Sequence, residues 1–244
     1  NEDEWTRDAK ELEAKFTDDG YAPVIMYAQD DADEQASQVS DMTEEGVSAM
    51  VIAPVDPYGL SEELKAAKEA EIPVIAYDDL IMNTDGVKYY VTFGGRQIGQ
   101  LIGQEIIDKE ELEKLQEAKE SKTIEFLMGS LDDTQALFFY NGLMEKLQPY
   151  LDDGTLVCKS GQITFEETGI LRWSMDKAQS RAEDILEEAY QDGEAPDIIC
   201  TGFDGAAEGA VNALQNNGLT PGENWPMITG VGCDADAVRD IAES

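Results

Sequence analysis

Carboxylates recur just after short apolar runs, and that placement defines the chemistry open to this chain. Asp30 and Asp31 follow Val24-Ile25-Met26-Tyr27, and Asp56 follows Met50-Val51-Ile52. Asp78 and Asp79 follow Val74-Ile75-Ala76-Tyr77, and Phe203 with Asp204 follows Ile198-Ile199-Cys200. Gly94-Gly95, the run Asp132-Asp133-Thr134-Gln135, and Gly232-Cys233-Asp234 hold equivalent places. An Asp so placed either caps the next helix or, where several converge, accepts hydrogen bonds from neighbouring hydroxyls of a polyol. Trp5 and Trp173, near helix starts, and Phe138 with Phe139 add rings that either fill the core or pack against the CH-rich face of a sugar.

Other chemistries are excluded by what is missing. The 244 residues contain no histidine, which removes the commonest general base and metal ligand and with them Ser-His-Asp, Cys-His and HExxH chemistry. With 53 acidic against 17 basic side chains the formal charge is −36, which repels nucleic acid and anionic lipid. Cys158, Cys200 and Cys233 lack CxxC spacing and read as small buried apolar residues. Gly230-Val231-Gly232-Cys233-Asp234-Ala235 fits a permissive dinucleotide-binding pattern, but no acidic partner follows about 20 residues on. The acidic cluster Asp30-Asp31-Ala32-Asp33-Glu34 lacks the glycine and glutamate spacing of a calcium loop and reads as a solvated helix start. No cofactor or metal site is expected, and no apolar run approaches the roughly 18 residues of a membrane helix.

These residues must be positioned by alternating strands and helices. Candidate strands are Val24-Ile25-Met26-Tyr27, Ala49-Met50-Val51-Ile52-Ala53, Pro73-Val74-Ile75-Ala76-Tyr77, Tyr89-Tyr90-Val91-Thr92-Phe93, Ile124-Glu125-Phe126-Leu127-Met128, Leu156-Val157-Cys158, Asp197-Ile198-Ile199-Cys200 and Met227-Ile228-Thr229. Several are apolar throughout, as expected for parallel strands covered on both faces. Trp5, Ala9, Leu12 and Phe16 share one helical stripe, and Ile98, Leu101, Ile102 and Ile106 another. Ser61 is placed to cap a helix, and Gly46 and Gly218 to follow helix ends. Repeated βα units imply parallel pairing with right-handed crossovers, hence doubly wound sheets. Eight strands and the polar stretch from Asp108 to Lys122 suit two lobes, residues 1–94 and residues 95–244. Ligands are then expected beyond the carboxyl ends of the strands.

The run Val74-Ile75-Ala76-Tyr77-Asp78-Asp79-Leu80-Ile81, with Val87 to Phe93 after it, resembles the xylose-binding and multiple-sugar-binding branch of the periplasmic sugar-binding proteins. The likeness continues in Gly129-Ser130-Leu131-Asp132-Asp133-Thr134-Gln135-Ala136-Leu137-Phe138-Phe139, Lys159-Ser160-Gly161-Gln162, Leu171-Arg172-Trp173 and Asp204-Gly205-Ala206-Ala207-Glu208-Gly209-Ala210. The resemblance implies two Rossmann-like α/β lobes joined by a hinge, with the first strand and the C-terminal closing segments lying outside this chain. It also implies a monosaccharide held between the lobes, a monomer, delivery to the permease of an ABC importer, and an extracytoplasmic location with an export signal that this sequence does not include. The same fold used as a sensor for a membrane signalling partner, and an α/β enzyme using nucleotide or paired carboxylates, remain open readings.

Carried over residue by residue, the resemblance retains Trp5, Asp78, Gln135 with Phe139, Trp173 and Asp204 as ligand-binding, and Asp56, Asp79 and Phe203 join them from their places just after strands. The family's Asp-Arg is here Asp78-Asp79, its Phe-Asp-Asn is Phe93-Gly94-Gly95, and its Asn-Asp-Gly is Phe203-Asp204-Gly205. Its Thr-Gly-Gln-Asp is Thr229-Gly230-Val231-Gly232, and Glu4 stands where an Arg is usual. Exchanging an arginine fork for a carboxylate removes donors and adds like charge, so the cleft is expected to be retuned toward an amine-bearing or less hydroxylated sugar, or to bind sugar weakly.

Overall fold

The computed structural model describes residues 2–190, 194–222 and 224–243. The side chains of residues 2–4, 240 and 243 lie outside that description, Glu4 among them. The chain divides into two compact units, Asn1–Phe93 and Gly94–Ser244.

The first unit runs α1 (Glu2–Asp18), α2 (Ala32–Glu45), β1 (Met50–Ile52), α3 (Ser61–Glu69), β2 (Val74–Tyr77) and β3 (Val87–Val91). The strands form a parallel sheet in the order β1-β2-β3, with Met50 opposite Val74 and Tyr77 opposite Val91. Alternation sorts the side chains: Met50, Ile52, Val74 and Ala76 pack with Val39 of α2 and Leu64 and Ala67 of α3. The opposite side is not covered as the all-apolar runs led one to expect, because Val51, Tyr89 and Val91 are exposed. Residues 24–27 also depart from expectation. They pair with no strand among the described residues and expose all four side chains. An extended run becomes a strand only through a ladder, and this one is held instead by a Gln38 side-chain amide on the Tyr27 carbonyl. Ser61 does not cap α3; Leu60 holds the N-cap position, and the Ser61 hydroxyl donates to the Asn83 carbonyl. The remaining punctuation holds. Asp31 caps α2 with Asp33 and Glu34 in its first turn, and Gly46 ends that helix at φ 71°.

The second unit contains α4 (Gly95–Lys109), α5 (Leu112–Ala118), β4 (Lys122–Leu127), α6 (Thr134–Asp152), β5 (Leu156–Val157), α7 (Phe165–Thr168), α8 (Met175–Ala189), β6 (Ile198–Thr201), α9 (Asp204–Asn216), β7 (Met227–Ile228) and α10 (Ala235–Glu243). Its parallel sheet has the order β5-β4-β6-β7. Here both faces are covered. Ile124, Phe126, Ile198 and Cys200 pack against α4 and α6, while Leu127 and Ile199 pack against α8 and α9. Cys200 is the buried thiol the sequence led one to expect, but Cys158 is half-buried and Cys233 exposed.

Two features set the rigidity of this unit. Gly95, Gly99 and Gly103 recur every fourth residue along α4, and a Cβ on Gly99 would lie 2.0 Å from the Phe139 carbonyl oxygen of α6. Gly142 of α6 returns the approach, its Cβ position 2.0 Å from the Arg96 carbonyl oxygen. The second feature is Glu125 of β4, which is 2% exposed. Its carboxyl accepts hydrogen bonds from the Ser160 N–H (3.1 Å), the Ser160 hydroxyl (2.5 Å), the Tyr190 hydroxyl (2.9 Å) and the Cys158 thiol (3.4 Å). Buried polar groups persist when so satisfied, and these bonds tie the two-residue edge strand β5 and its following loop to the sheet and to the end of α8.

Candidate ligand-binding site

In the second unit β4 is followed by α6 on one face, whereas the adjacent β6 is followed by α9 on the other. The chain therefore diverges above the carboxyl ends of β4 and β6, which is where an open α/β sheet leaves a crevice. Two glycines permit it. Gly202 sits so close to β4's exit that a Cβ would lie 2.9 Å from the Gly129 nitrogen, and the Gly202 N–H donates to the Leu127 carbonyl at 2.9 Å.

Trp173 occupies this position. Its ring lies on Gly129, whose Cβ would fall 2.3 Å from the indole, and it meets Phe203 edge-on at 5.3 Å between centroids. The indole stands near enough to the Asp133 carboxylate to favour its charged form. Trp173 still keeps 38% of its surface exposed, so part of an apolar ring stays available for contact. Asp133 caps α6 through the N–H groups of Gln135 (2.7 Å) and Ala136 (3.4 Å). Burial raises its carboxyl above the ordinary 3.8, against the opposing pull of those bonds and of the indole. Gln135, Trp173 and Phe203 thus gather around Asp133, with Gln135 Oε1 also 2.9 Å from the Cβ position of Gly95.

Asp204 is placed differently. It is 8% exposed and leans on the loop after β7: Oδ2 accepts the Asp234 N–H at 2.8 Å, and its own N–H donates to the Val231 carbonyl. The glycines of the dinucleotide-like motif serve this contact, since a Cβ on Gly230 would lie 2.5 Å from Asp204 Oδ1. Phe139 is 6% exposed within the α4/α6 core, and its neighbour Phe138 carries the exposed ring.

In the first unit the proposed residues stand at carboxyl strand ends. Asp56, after β1, accepts the Tyr58 N–H in a tight turn. Asp78, after β2, adopts φ 65°, donates its N–H to the Val91 carbonyl at 2.8 Å, and accepts the Tyr90 hydroxyl on its own carbonyl; Asp79 follows it, half-buried. The Tyr77 hydroxyl donates to Asp8, which brings the first turns of α1, with the exposed Trp5 one turn earlier, to the end of β2.

Sequence reasoning weighed Asp133 as a helix cap, a polyol acceptor or one of a carboxylate pair, and took Gly129 and Ser130 as part of the family likeness without giving either a role. The available signal was a glycine directly after a strand, which marks a close approach by another group.

The aromatic and acidic residues of this unit thus stand at a topological switch point, where α/β folds of this class take their ligands. The chain belongs to the periplasmic binding protein domain family, whose pattern matches residues 1–244. It is 37% identical over 238 residues to the multiple sugar-binding periplasmic receptor ChvE of Rhizobium radiobacter, covering 97% of this chain and 66% of that protein. It is 28% identical over 240 residues to the D-xylose-binding periplasmic protein of Escherichia coli, covering 98% and 66%. The chain spans about two-thirds of the length of these relatives. Among solved structures, the ABC transporter solute binding protein from Clostridium phytofermentans with bound β-D-glucose is 38% identical with a TM-score of 0.87, covering 98% of this chain and 72% of that one. A carbohydrate transporter solute binding protein from Chloroflexus aurantiacus, 23% identical with a TM-score of 0.79 and the same coverage, shares the fold. These relatives are binding proteins. No helix among the described residues is long and apolar enough to cross a membrane.

Proposed function

We propose that the protein is an extracytoplasmic solute-binding receptor that takes up a monosaccharide and presents it, unchanged, to the permease of an ABC importer, acting as a monomer. The observation that carries this reading is the Trp173 platform: an indole packed against Gly129 and Phe203 beside Asp133, with 38% of its surface exposed. Such a ring packs on the CH face of a pyranose, and neighbouring polar groups fix the hydroxyls. The relatives' sugars support the same class. On this reading Gln135, Trp173, Phe203 and Asp204 supply the second unit's contacts, and Trp5, Asp56, Asp78 and Asp79 those of the first.

The pairing Asp78-Asp79, with no arginine beside it in sequence, further favours a sugar bearing an amine, because a carboxylate gains more from a cationic donor than from a hydroxyl. Calorimetric titration with D-glucose, D-xylose and D-glucosamine tests both levels. Binding of one of them, lost in Trp173→Ala, is expected. Tight binding of glucose or xylose with none of glucosamine overturns the amine preference, and silence toward all three overturns the sugar reading.

A further inference from the structure

Arg172 and Trp173 are consecutive non-glycine residues with left-handed backbone, φ 60° and φ 51°. L side chains avoid that region, and two in a row persist only where the surroundings impose them. The hydroxyl of Ser130 holds the first of them from across the loop. Ser130 is 1% exposed on the loop leaving β4, accepts the Arg172 N–H on Oγ at 2.6 Å, and donates its own proton to Asp132. Its donor and acceptor are thereby both committed, so the hydroxyl has one orientation. The turn is also closed by the Trp173 N–H on the Ile170 carbonyl (3.2 Å), which spans Leu171 and Arg172, and is tied to β4 by the Ile170 N–H on the Gly129 carbonyl (3.1 Å); neither bond takes up the Arg172 N–H itself.

We propose that Ser130 is a positioning residue for ligand recognition: by anchoring the Arg172 N–H it helps hold the left-handed turn that sets the Trp173 ring against Gly129. The inference rests on the sugar-platform reading for its effect on affinity, but not for its effect on the ring. Without the hydroxyl the Arg172 N–H loses its partner, and the turn relaxes toward right-handed backbone, carrying the indole off the glycine.

The test labels the protein with fluorotryptophan and follows fluorine NMR, with Trp173 assigned through Trp173→Phe. Ser130→Ala is expected to move the Trp173 resonance while those of Trp5 and Trp225 stay, and to weaken D-glucose binding by roughly tenfold or more, as when a preorganised contact is lost. Arg172→Val, at an exposed position, is expected to displace the same resonance because a β-branched residue resists φ > 0; it serves if Ser130→Ala does not fold. Arg172→Gly accepts the left-handed turn freely, so adding Ser130→Ala to it is expected to change resonance and affinity far less than in the parent. An unmoved Trp173 resonance in Ser130→Ala and Arg172→Val, or equal effects of Ser130→Ala with Arg172 and with Gly at that position, overturns the proposal. If the parent binds no sugar, the platform reading fails while the resonances still judge the positioning.

Discussion

Replacing Gly99 with alanine places a methyl 2.0 Å from the Phe139 carbonyl oxygen and 2.8 Å from the Leu143 nitrogen, both backbone atoms of α6 that cannot rotate away. Relief requires α4 and α6 to part by about 1 Å, which forfeits a quarter to a half of the dispersion energy of each contact along their shared face. Overpacking of this kind costs roughly 1–3 kcal/mol and more where backbone is involved. Alanine returns about 1 kcal/mol of helix propensity over glycine. Taking the upper end of that range for a backbone clash, the net expectation is a destabilisation of about 2 kcal/mol. With a urea slope of about 2 kcal/mol/M, the unfolding midpoint falls by about 1 M at unchanged slope. Gly46→Ala separates crowding from backbone strain: φ is 71° but nothing lies within 4 Å, so about 1 kcal/mol is expected. A Gly99→Ala protein at least as stable as the parent would show that the two helices do not meet backbone to backbone and would refute the reasoning.

Trp173→Ala should weaken D-glucose binding by about 2 kcal/mol, roughly thirtyfold, while leaving the urea midpoint within about 0.5 M; calorimetry and unfolding on one preparation check both. Burial pushes the Cys158 thiol up to about 11 and the Cys200 thiol to about 12, so both should resist a disulfide reagent at mildly alkaline pH until the protein unfolds, whereas exposed Cys233 reacts at once. Because the folded value of Cys158 lies above its ordinary 9.0, its contribution to stability is complete below about 9 and is lost as pH rises toward 11, an effect that Cys158→Ser should blunt. Asp133 likewise binds its proton more tightly when folded. Its contribution is present below 3.8 and lost as pH rises through the raised value, so Asp133→Asn, which keeps the cap, should compare best with the parent at neutral pH and worst in acid; the reverse order would contradict the burial argument.

The α/β class was legible because the second unit's strands are apolar on both faces and its helices striped, patterns that burial alone dictates. Residues 24–27 misled for the same reason: Val-Ile-Met-Tyr carries strand propensity, but a ladder partner is a matter of topology that composition does not encode. Trp173 and Phe203 could be found from their positions after strands and before helices. Asp204 could not be distinguished from a contact of the loop after β7, because the glycines that admit it, Gly230 and Gly232, match an unrelated phosphate-binding spelling. Phe139 and Phe138 are neighbours in sequence, and only the helix rotation, set by Gly99 and Gly142 across the α4/α6 contact, determines which ring enters the core. Ser130 left no trace beyond its place beside Gly129, since a hydroxyl that props a backbone N–H 42 residues away has no local pattern.

Glu125 makes the margin of the second sheet cooperative. A two-residue strand would ordinarily fray a little at a time, each broken ladder bond being replaced by water. Here, peeling away Ser160 withdraws two donors from an acceptor that water cannot reach at 2% exposure, so partial opening costs more than it would at a bare edge. The margin is expected to stay shut or to release together with the end of α8, which denies proteases and neighbouring chains the half-open strand they would otherwise seize.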